Sequence, residues 1–317
     1  MNTFRKMSVA GAMVAFAGSA LAQFAYVPNE KTGTLSIIDL AKDEVVGSIP
    51  AGKKPRGLVA SLDHKVIYVS DQPNNALLII DPAARKVTSK IDLGESPEGV
   101  GRSADGKWIV AAIEEDNAVF FISSATGKIE FKVKTEGENP EHAVFSPDGK
   151  WVYVSAEESQ VVDVIDVVAR KLAGTIRVGK RPRGIAFTPD GTRAYVACEL
   201  ANTVYAIDVA GKKVIASIPA GVKSNGVKMH PSGKEVYISN GTDGTVNVID
   251  TASNKVTHTI KVGQRPWNMA LTQGGGKLYV ANGRSNNVSV IDTATKTKLK
   301  DIAVGEMPWG VLIPEGH

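Results

Sequence analysis

The chain has 317 residues, of which 43% are hydrophobic, 22% are charged and 6% are aromatic, with a single cysteine. This composition excludes a disordered chain, a collagen-like fibre and a disulfide-stapled scaffold, and the length is sufficient to bury a large core. Thirty-seven Lys and Arg against 33 Asp and Glu give a formal charge of +4, too small to indicate electrostatic binding of nucleic acid.

Residues 1–22 predict a cleaved secretory signal. Arg5 and Lys6 precede an apolar run from Met7 to Ala17, and the small residues Ala20-Leu21-Ala22 follow. A membrane anchor is disfavoured because the apolar run is too short to span about 30 Å of hydrocarbon. We therefore expect a protein exported to the periplasm, with residues 23–317 forming one domain and no membrane span after cleavage.

The rest of the chain repeats one unit with a period of 42 residues. One series of equivalent positions consists of Asp39, Asp81, Ser123, Asp166, Asp208, Asp250 and Asp292. A second series consists of Gly52, Gly94, Gly137, Gly179, Gly221, Gly263 and Gly305. Both series contain one extra residue in the third unit. Seven such units account for almost the whole chain after the leader.

Each unit predicts four short strands. Period-two alternation marks the strands Ala194–Ala197, Thr203–Asp208, Lys213–Ile218 and Gly184–Phe187. Turns such as Thr188-Pro-Asp-Gly191 are typical of hairpins, since proline fixes a negative φ and glycine allows a positive one. Every strand therefore pairs with its neighbour in sequence, and each unit forms an antiparallel sheet.

The fold class predicted from this repeat is all-β, a seven-bladed β-propeller of four-stranded blades. The domain begins in a second strand, Ala25-Tyr-Val27, and ends with a first strand, Trp309–Ile313. The C-terminal strand is therefore expected to complete the N-terminal blade and close the ring.

These residues resemble the bacterial YVTN seven-bladed propeller repeats. The motifs that carry the resemblance are Tyr26-Val27, Tyr68-Val69, Tyr153-Val154, Tyr195-Val196, Tyr237-Ile238 and Tyr279-Val280, each followed by Val/Ile-Asp and, in four of the six cases, by Gly-x-x-Pro-x-Gly. The last two repeats, with Gln264–Trp267, Asn286–Asp292 and Pro308-Trp-Gly310, are similar to the subgroup associated with quinone (PQQ)-dependent alcohol catabolism. That resemblance implies a periplasmic accessory protein beside dehydrogenases and a transport system.

Residues that recur in every unit are interpreted as structural, whereas residues that break the pattern are candidates for a site. The recurring Asp is expected to cap the turn after the third strand, and the Tyr of each Tyr-Val pair is expected to pack between blades. The single Cys198 is expected to be buried rather than reactive.

One face of the propeller is predicted to carry the functional residues. At one equivalent position, where the inner strand of each unit begins, the seven units carry Arg, Glu, Glu, Arg, Asn, Trp and Trp in turn. The candidate ligand or partner rim consists of Arg56, Glu98, Glu141, His142, Arg183, Asn225, Trp267, Asn268 and Trp309. The same face is expected to receive Glu30, Glu114, Glu157, Glu199 and Arg284.

Two interpretations of this rim stay open at the sequence level. Two arginines suit a carboxylate or phosphate, and two indoles suit a flat or apolar group, so the rim fits a small anionic, partly aromatic ligand or a periplasmic partner protein. Alternatively, the charges pair with one another and the tryptophans plug the channel. His142 stands where five of the other six units have Gly and is either a polar rim contact or a general base or metal ligand.

The leading functional hypothesis is an exported, monomeric, non-catalytic binding module, with no cofactor, catalytic set or metal site predicted. The alternative is a lactonase-like hydrolase that uses Glu141 and His142 around a metal-bound water. Nucleic-acid binding is disfavoured, because removal of the leader with Arg5 and Lys6 leaves 35 basic against 33 acidic residues, a charge of only +2.

Overall fold

The protein is a seven-bladed β-propeller, as the repeat predicted. The computed structural model describes residues 24–314, so the predicted signal segment, residues 1–22, lies outside the described residues. Within that range, helix is limited to two single 3₁₀ turns, Gln72–Asn74 and Gln273–Gly275. None of the described helices is long and apolar enough to cross a membrane.

Strands follow one another in chain order within every blade. Blade 1 contains β1 (Phe24–Asn29), β2 (Thr34–Asp39) and β3 (Glu44–Pro50), and blade 2 contains β4 (Pro55–Ala60), β5 (Ile67–Asp71), β6 (Ala76–Asp81) and β7 (Lys86–Asp92). Blade 3 contains β8 (Pro97–Arg102), β9 (Trp108–Ile113), β10 (Ala118–Ser123) and β11 (Ile129–Lys134). Blade 4 contains β12 (Pro140–Phe145), β13 (Trp151–Ala156), β14 (Val161–Asp166) and β15 (Lys171–Arg177). Blade 5 contains β16 (Pro182–Phe187), β17 (Arg193–Cys198), β18 (Thr203–Asp208) and β19 (Lys213–Pro219). Blade 6 contains β20 (Ser224–Met229), β21 (Glu235–Asn240), β22 (Thr245–Asp250) and β23 (Lys255–Lys261). Blade 7 contains β24 (Pro266–Leu271), β25 (Lys277–Asn282), β26 (Asn287–Asp292) and β27 (Thr297–Ala303).

The C-terminal segment closes the ring on blade 1, which otherwise has three strands. It lies antiparallel to β1, with bridges between Tyr26 and Leu312 and between Asn29 and Pro308. Tyr26 and Leu312 exchange two backbone hydrogen bonds of 2.8 Å each, and the Trp309 N–H donates to the Pro28 carbonyl at 2.9 Å. The segment supplies the fourth, innermost strand position, which confirms closure by the chain's end.

The recurring aspartates cap turns, as expected. The Asp39 Oδ1 accepts the backbone N–H of Ala41 at 2.9 Å, and the Asp250 Oδ1 accepts that of Ser253 at 2.7 Å. Each of these aspartates is the last residue of the third strand of its blade, where the chain reverses into the fourth strand. These aspartates therefore serve the turns and are separate from any site.

Seven apolar clusters hold the blades together, one at each interface between neighbouring blades. At the interface of blades 4 and 5, Tyr153 of β13 packs with Ile185 and Phe187 of β16, and the Tyr153 and Phe187 rings lie 4.9 Å apart edge to face. The Tyr of the Tyr-Val pair thus packs between blades, as predicted. Cys198 belongs to the same cluster and is fully buried, and burial raises the pKa of its thiol to about 12.

Candidate functional site

The charged residues of the predicted rim converge at one end of the central channel. They surround a cavity of about 220 Å³, here called the cup. The cup is lined by Arg56, Gln72, Glu98, Glu114, Glu141, Glu157, Arg181, Arg183, Asn225, Arg265, Trp267 and Trp309. The repeat explains this convergence, because the entrances of the inner strands and the corners between second and third strands meet on one face of the ring.

Arg56 of β4 organises one side of the cup. Its Nε donates to Glu30 Oε1 at 2.7 Å, and its Nη1 contacts Glu98 Oε1. Gln72 also donates to Glu98 Oε1 and to Ser96 Oγ, and the Ser96 hydroxyl donates to Glu114 Oε2 at 2.7 Å. A continuous network therefore joins blades 1, 2 and 3.

Arg183 of β16 organises the opposite side. Its Nη1 lies 2.7 Å from Glu141 Oε2 and 2.8 Å from Glu157 Oε2, and its Nε donates to Glu199 Oε2 at 3.0 Å. Arg181 makes a further contact with Glu157 Oε1. One guanidinium thus holds three nearly inaccessible carboxylates from two adjacent blades.

Arg265 reaches the same network from blade 7. Its Nη2 lies 2.8 Å from Glu199 Oε1 of blade 5, so its side chain passes across blade 6. Blade 6 has Gly241 at the corner where blade 5 carries Glu199, and a Cβ there would approach Arg265 Nη1 to 2.9 Å. Glycine at this corner provides the space that the arginine occupies.

Carboxylates outnumber guanidiniums in this network. Six glutamates, namely Glu30, Glu98, Glu114, Glu141, Glu157 and Glu199, are joined to four arginines, namely Arg56, Arg181, Arg183 and Arg265. The formal balance is four minus six, or −2. Since most of these groups are buried, water screens the imbalance poorly and their protonation must respond to it.

The pKa shifts follow that imbalance. Burial, reinforced by Glu141, raises the pKa of Glu98 to about 8 against the opposing effect of Arg56. Burial also raises the pKa of Glu157, although Arg183 opposes it. For Glu141, burial is outweighed by Arg183, with help from His142 and Arg56, and its pKa falls below the ordinary value. Near neutral pH, Glu98 therefore favours its protonated form while Glu141 stays ionised.

A layer of His142 and Trp309 forms the floor of the cup. Their rings stack at a centroid distance of 5.5 Å and an angle of 13°. The His142 Nδ1 lies 4.0 Å from Glu141 Oε1 and has no hydrogen-bond partner, while Asn268 bonds the imidazole from the side. Burial lowers the pKa of His142, so the imidazole is neutral at pH 7 and able to accept a proton.

Below this layer the channel widens into a second cavity of about 770 Å³, here called the chamber. Apolar side chains of the inner strands line much of it, including Leu58, Val100, Ile185, Met229 and Ile313. Its mouth lies among the turns that contain Pro147, Pro189 and Pro231, on the face opposite the cup. Reasoning from the sequence did not identify this cavity.

The structure separates the predicted rim residues into two groups. Arg56, Glu98, Glu141, Arg183, Asn225 and Trp267 line the cup, His142 and Asn268 line the chamber, and Trp309 borders both cavities. Of the neighbouring loop residues, Glu30, Glu114, Glu157 and Glu199 join the network, while Arg284 is exposed and does not line the cup. Arg56 and Arg183 are both ion-paired, as in the alternative interpretation of the rim.

Sequence reasoning missed Gln72, Arg181 and Arg265. Arg181 and Arg265 each precede the proline that begins an inner strand, a position that also varies between repeats. That variation was an available signal. A glycine at the corner between the second and third strands was another available signal, because it marks a blade where a large rim side chain needs space. In blade 7 this corner is Gly283, where a Cβ would lie 2.7 Å from a ring carbon of Trp267.

The fold resembles several solved structures at low sequence identity. A functionally unknown protein from Desulfotomaculum acetoxidans matches with a TM-score of 0.82 and 16% identity over 93% of this chain and 100% of that chain. Kuenenia stuttgartiensis hydrazine synthase matches with a TM-score of 0.74 and 21% identity over 83% of this chain and 90% of that chain. Dihydro-heme d1 dehydrogenase NirN in complex with DHE matches with a TM-score of 0.69 and 12% identity over 92% of this chain and 75% of that chain. These likenesses concern the fold alone.

Family models give a more specific result. The search of curated proteins found no match. A YNCE-like beta-propeller model matches residues 5–107, and a model described as lactonase, 7-bladed beta-propeller, matches residues 81–176 and 169–307. Since the latter matches span more than half of the sequence, the chain belongs to the seven-bladed β-propeller lactonase family.

Proposed function

We propose that the protein is an exported, periplasmic binding module whose ligand or partner site is the cup. The resemblance of its last repeats to the subgroup associated with quinone-dependent alcohol catabolism supports a role as an accessory to such a pathway or to associated transport. In this role the propeller is a rigid ring, and its seven apolar interfaces hold the cup in a fixed shape.

The burial of charge in the cup is the observation that carries this proposal. Glu98 is fully buried, and Glu141, Glu157 and Glu199 are each less than 10% exposed. Burying ionised groups lowers stability unless every partner is well placed, and the blades already have apolar cores that hold them. Perturbed carboxylates concentrated in a concave site are typical of functional sites.

Ligand entry into the cup requires rearrangement of existing ion pairs. An anionic group that binds Arg56 must displace Glu30 or Glu98, whereas Trp267 and Trp309 are already placed to contact an aromatic group. A ligand that combines a ring with a polar group therefore fits the cup better than a simple anion.

Tryptophan fluorescence titration tests binding at the cup. The titrants are small aromatic acids and quinones, followed by a purified quinone-dependent dehydrogenase. Asn225→Leu fills the cup without removing a charge and should abolish the fluorescence response, while the double variant Arg56→Ala/Arg183→Ala should weaken it. Asp148→Ala, at the mouth of the chamber, is the matched control and should titrate like the wild type. An unchanged response in Asn225→Leu would place the site elsewhere.

A second candidate function is lactone hydrolysis, favoured by the family match and by the His142 Nδ1, which lies 4.0 Å from Glu141 Oε1. In this reaction the neutral His142 Nδ1 takes a proton from water, and the water oxygen attacks the lactone carbonyl. The ring C–O bond then breaks, and the proton passes from the imidazole to the departing alkoxide to give the hydroxy acid.

An assay of lactone hydrolysis distinguishes the two functions. Five- and six-membered lactones are supplied to the purified protein, and release of acid is followed at constant pH. A hydrolase should lose its activity in His142→Ala and keep it in Glu115→Gln, an exposed change on the rim. Acid release no faster in the wild type than in His142→Ala would reject the hydrolase.

A further inference from the structure

We propose that the cup binds one divalent cation of the calcium type through Glu114, Glu141 and Glu157. This inference takes from the proposed function only the premise that the cup is a binding site. It differs from the hydrolase considered from the sequence, which used Glu141 and His142 around a metal-bound water, because the ion is held here by three carboxylates.

The positions of the three carboxylates carry the first part of the argument. Each residue offers one carboxylate oxygen, and these oxygens all lie within 4.8 Å of one another. Glu114 and Glu157 occupy equivalent corners of adjacent blades 3 and 4, and Glu141 enters from β12 between them. Oxygens at such separations reach a single ion at about 2.3–2.6 Å after small side-chain adjustments, the range that Ca²⁺ adopts.

A buried carboxylate oxygen without a partner is the second, independent observation. Glu98 is fully buried in the same cup, and its Oε2 has no hydrogen-bond partner, although its Oε1 contacts both Arg56 and Gln72. An unsatisfied buried oxygen of this kind is rare and lowers stability. A cation in the cup would give this oxygen a partner through a bound water.

The charge of the network matches one divalent ion. Six carboxylates against four guanidiniums leave a formal excess of two negative charges. A divalent ion bound in the cup would balance that excess, and buried charges need such a counter-charge because water screens them poorly.

Arginines already contact both carboxylate oxygens of Glu157 but only one of Glu141. Arg183 contacts Oε2 of Glu141, while Oε1 of that residue faces His142 at 4.0 Å. Glu114 accepts a hydrogen bond from Ser96 and has no ion pair with an arginine among the described salt bridges. All the side-chain ligands are oxygens, a donor set that favours Ca²⁺ over Zn²⁺ or Cu²⁺.

Terbium luminescence tests the site directly, because Trp267 and Trp309 line the cup and are able to sensitise a lanthanide bound there. The chelator-treated wild-type protein is titrated with Tb³⁺, and Ca²⁺ and then Mg²⁺ are added as competitors. We expect saturation at one Tb³⁺ per chain and displacement by Ca²⁺ at lower concentration than by Mg²⁺. Glu114→Gln should weaken binding by about 10–100-fold, and the adjacent exposed change Glu115→Gln should leave it unchanged.

A second variant protects the test against misfolding. Glu157→Gln keeps the shape of a buried side chain, and its far-UV circular dichroism and melting temperature are compared with those of the wild type. Wild-type Tb³⁺ affinity in both folded variants, or no sensitised emission from the wild type, would overturn the cation site. If Tb³⁺ does not bind while the organic ligands still quench tryptophan fluorescence, the cation site is rejected and the proposed binding function is retained.

Discussion

The cup and the chamber are built from the same inner strands but differ in almost every physical property. The cup is about 220 Å³ and is surrounded by buried carboxylates and guanidiniums, whereas the chamber is about 770 Å³ and largely apolar. Moving along β16, Arg183 belongs to the cup, and Ile185 and Phe187 belong to the chamber. A single strand therefore contributes charge chemistry at its entrance and packing at its end.

This difference has an energetic consequence. Substitutions in the chamber should change stability through lost apolar burial, which hardly depends on pH. Substitutions in the cup should act by leaving buried charges without partners, and their effects should vary with pH. Comparing the two ends of the channel under matched conditions therefore tests both descriptions.

Removal of residues 309–317 should have the largest effect, because this segment belongs to both ends of the channel. Trp309 borders the cup and the chamber, and Val311 and Ile313 pack in the apolar cluster between blades 1 and 7. Loss of those side chains and of the pairing with β1 should remove at least about 5 kcal/mol, and the exposed inner edge should promote aggregation. Thermal melting and size-exclusion chromatography measure the change. A truncated protein that melts like the full chain would contradict closure through this segment.

Arg183→Ala should have the next largest effect and should act only at the cup. It leaves Glu141, Glu157 and Glu199 without their shared guanidinium, and breaking a buried ion pair costs about 3–5 kcal/mol. Urea denaturation at pH 7 gives the change in the free energy of unfolding. The double variant Arg183→Ala/Glu157→Gln should recover part of the loss, and if it is less stable than Arg183→Ala alone, charge imbalance is not the cause.

Phe187→Ala is the corresponding change at the chamber. The ring packs against Tyr153 and lines the chamber, so its removal should cost about 3 kcal/mol, near the lower end for such changes, because one side of the ring already faces open space. The loss should be the same at pH 5 and pH 8. A loss that varied strongly between these two pH values would mean that the chamber is electrostatically coupled to the cup.

Repetition made the fold predictable from the sequence. Seven copies of one unit specify the strands, the turn-capping aspartates such as Asp250, the buried tyrosines such as Tyr153, and the closure by residues 309–313. Comparison of equivalent positions also identified the ring that contains Arg56 and Glu98. These inferences succeeded because each depends on local pattern and on the equivalence of blades.

Side-chain partners across blades were not predictable in the same way. Arg265 contacts Glu199 two blades away, and no rule of spacing specifies which of several glutamates a long, flexible side chain meets. The chamber was missed for a different reason. Its lining residues, such as Val100 and Ile185, look like ordinary strand residues, and the space between them depends on how closely seven blades approach the axis.

Stability should fall as pH rises from about 4.5 towards about 8, and Glu98 and Glu157 of the cup should be the main source of the fall, with a smaller part from Asp163, whose pKa burial raises to about 6. The ordinary carboxyl pKa of 4.5 is raised to about 8 at Glu98 and to about 7 at Glu157. The folded state therefore binds protons that the unfolded state has lost, and the free energy of unfolding decreases through this interval, by an amount on the order of several kcal/mol at about 1.4 kcal/mol for each pH unit by which a pKa is raised. Chemical denaturation at several pH values measures it, and Glu98→Gln should flatten the curve. A rise in stability over this interval would contradict the proposed protonation states.

The smallest effect is expected for Asp148→Ala and Asp190→Ala, at the turns around the mouth of the chamber. Each carboxylate accepts a hydroxyl hydrogen bond within its own exposed turn, from Ser146 at 2.7 Å and from Thr188 at 2.6 Å. Surface changes of this kind usually alter the free energy of unfolding by about 0.5 kcal/mol, so the melting temperature should move little. Both variants should keep the pH dependence and the Tb³⁺ affinity of the wild type, because neither residue touches the cup. A loss of Tb³⁺ binding in a folded Asp148→Ala protein would show that the two ends of the channel are coupled, and the comparison between them would then have to be replaced by a single connected site.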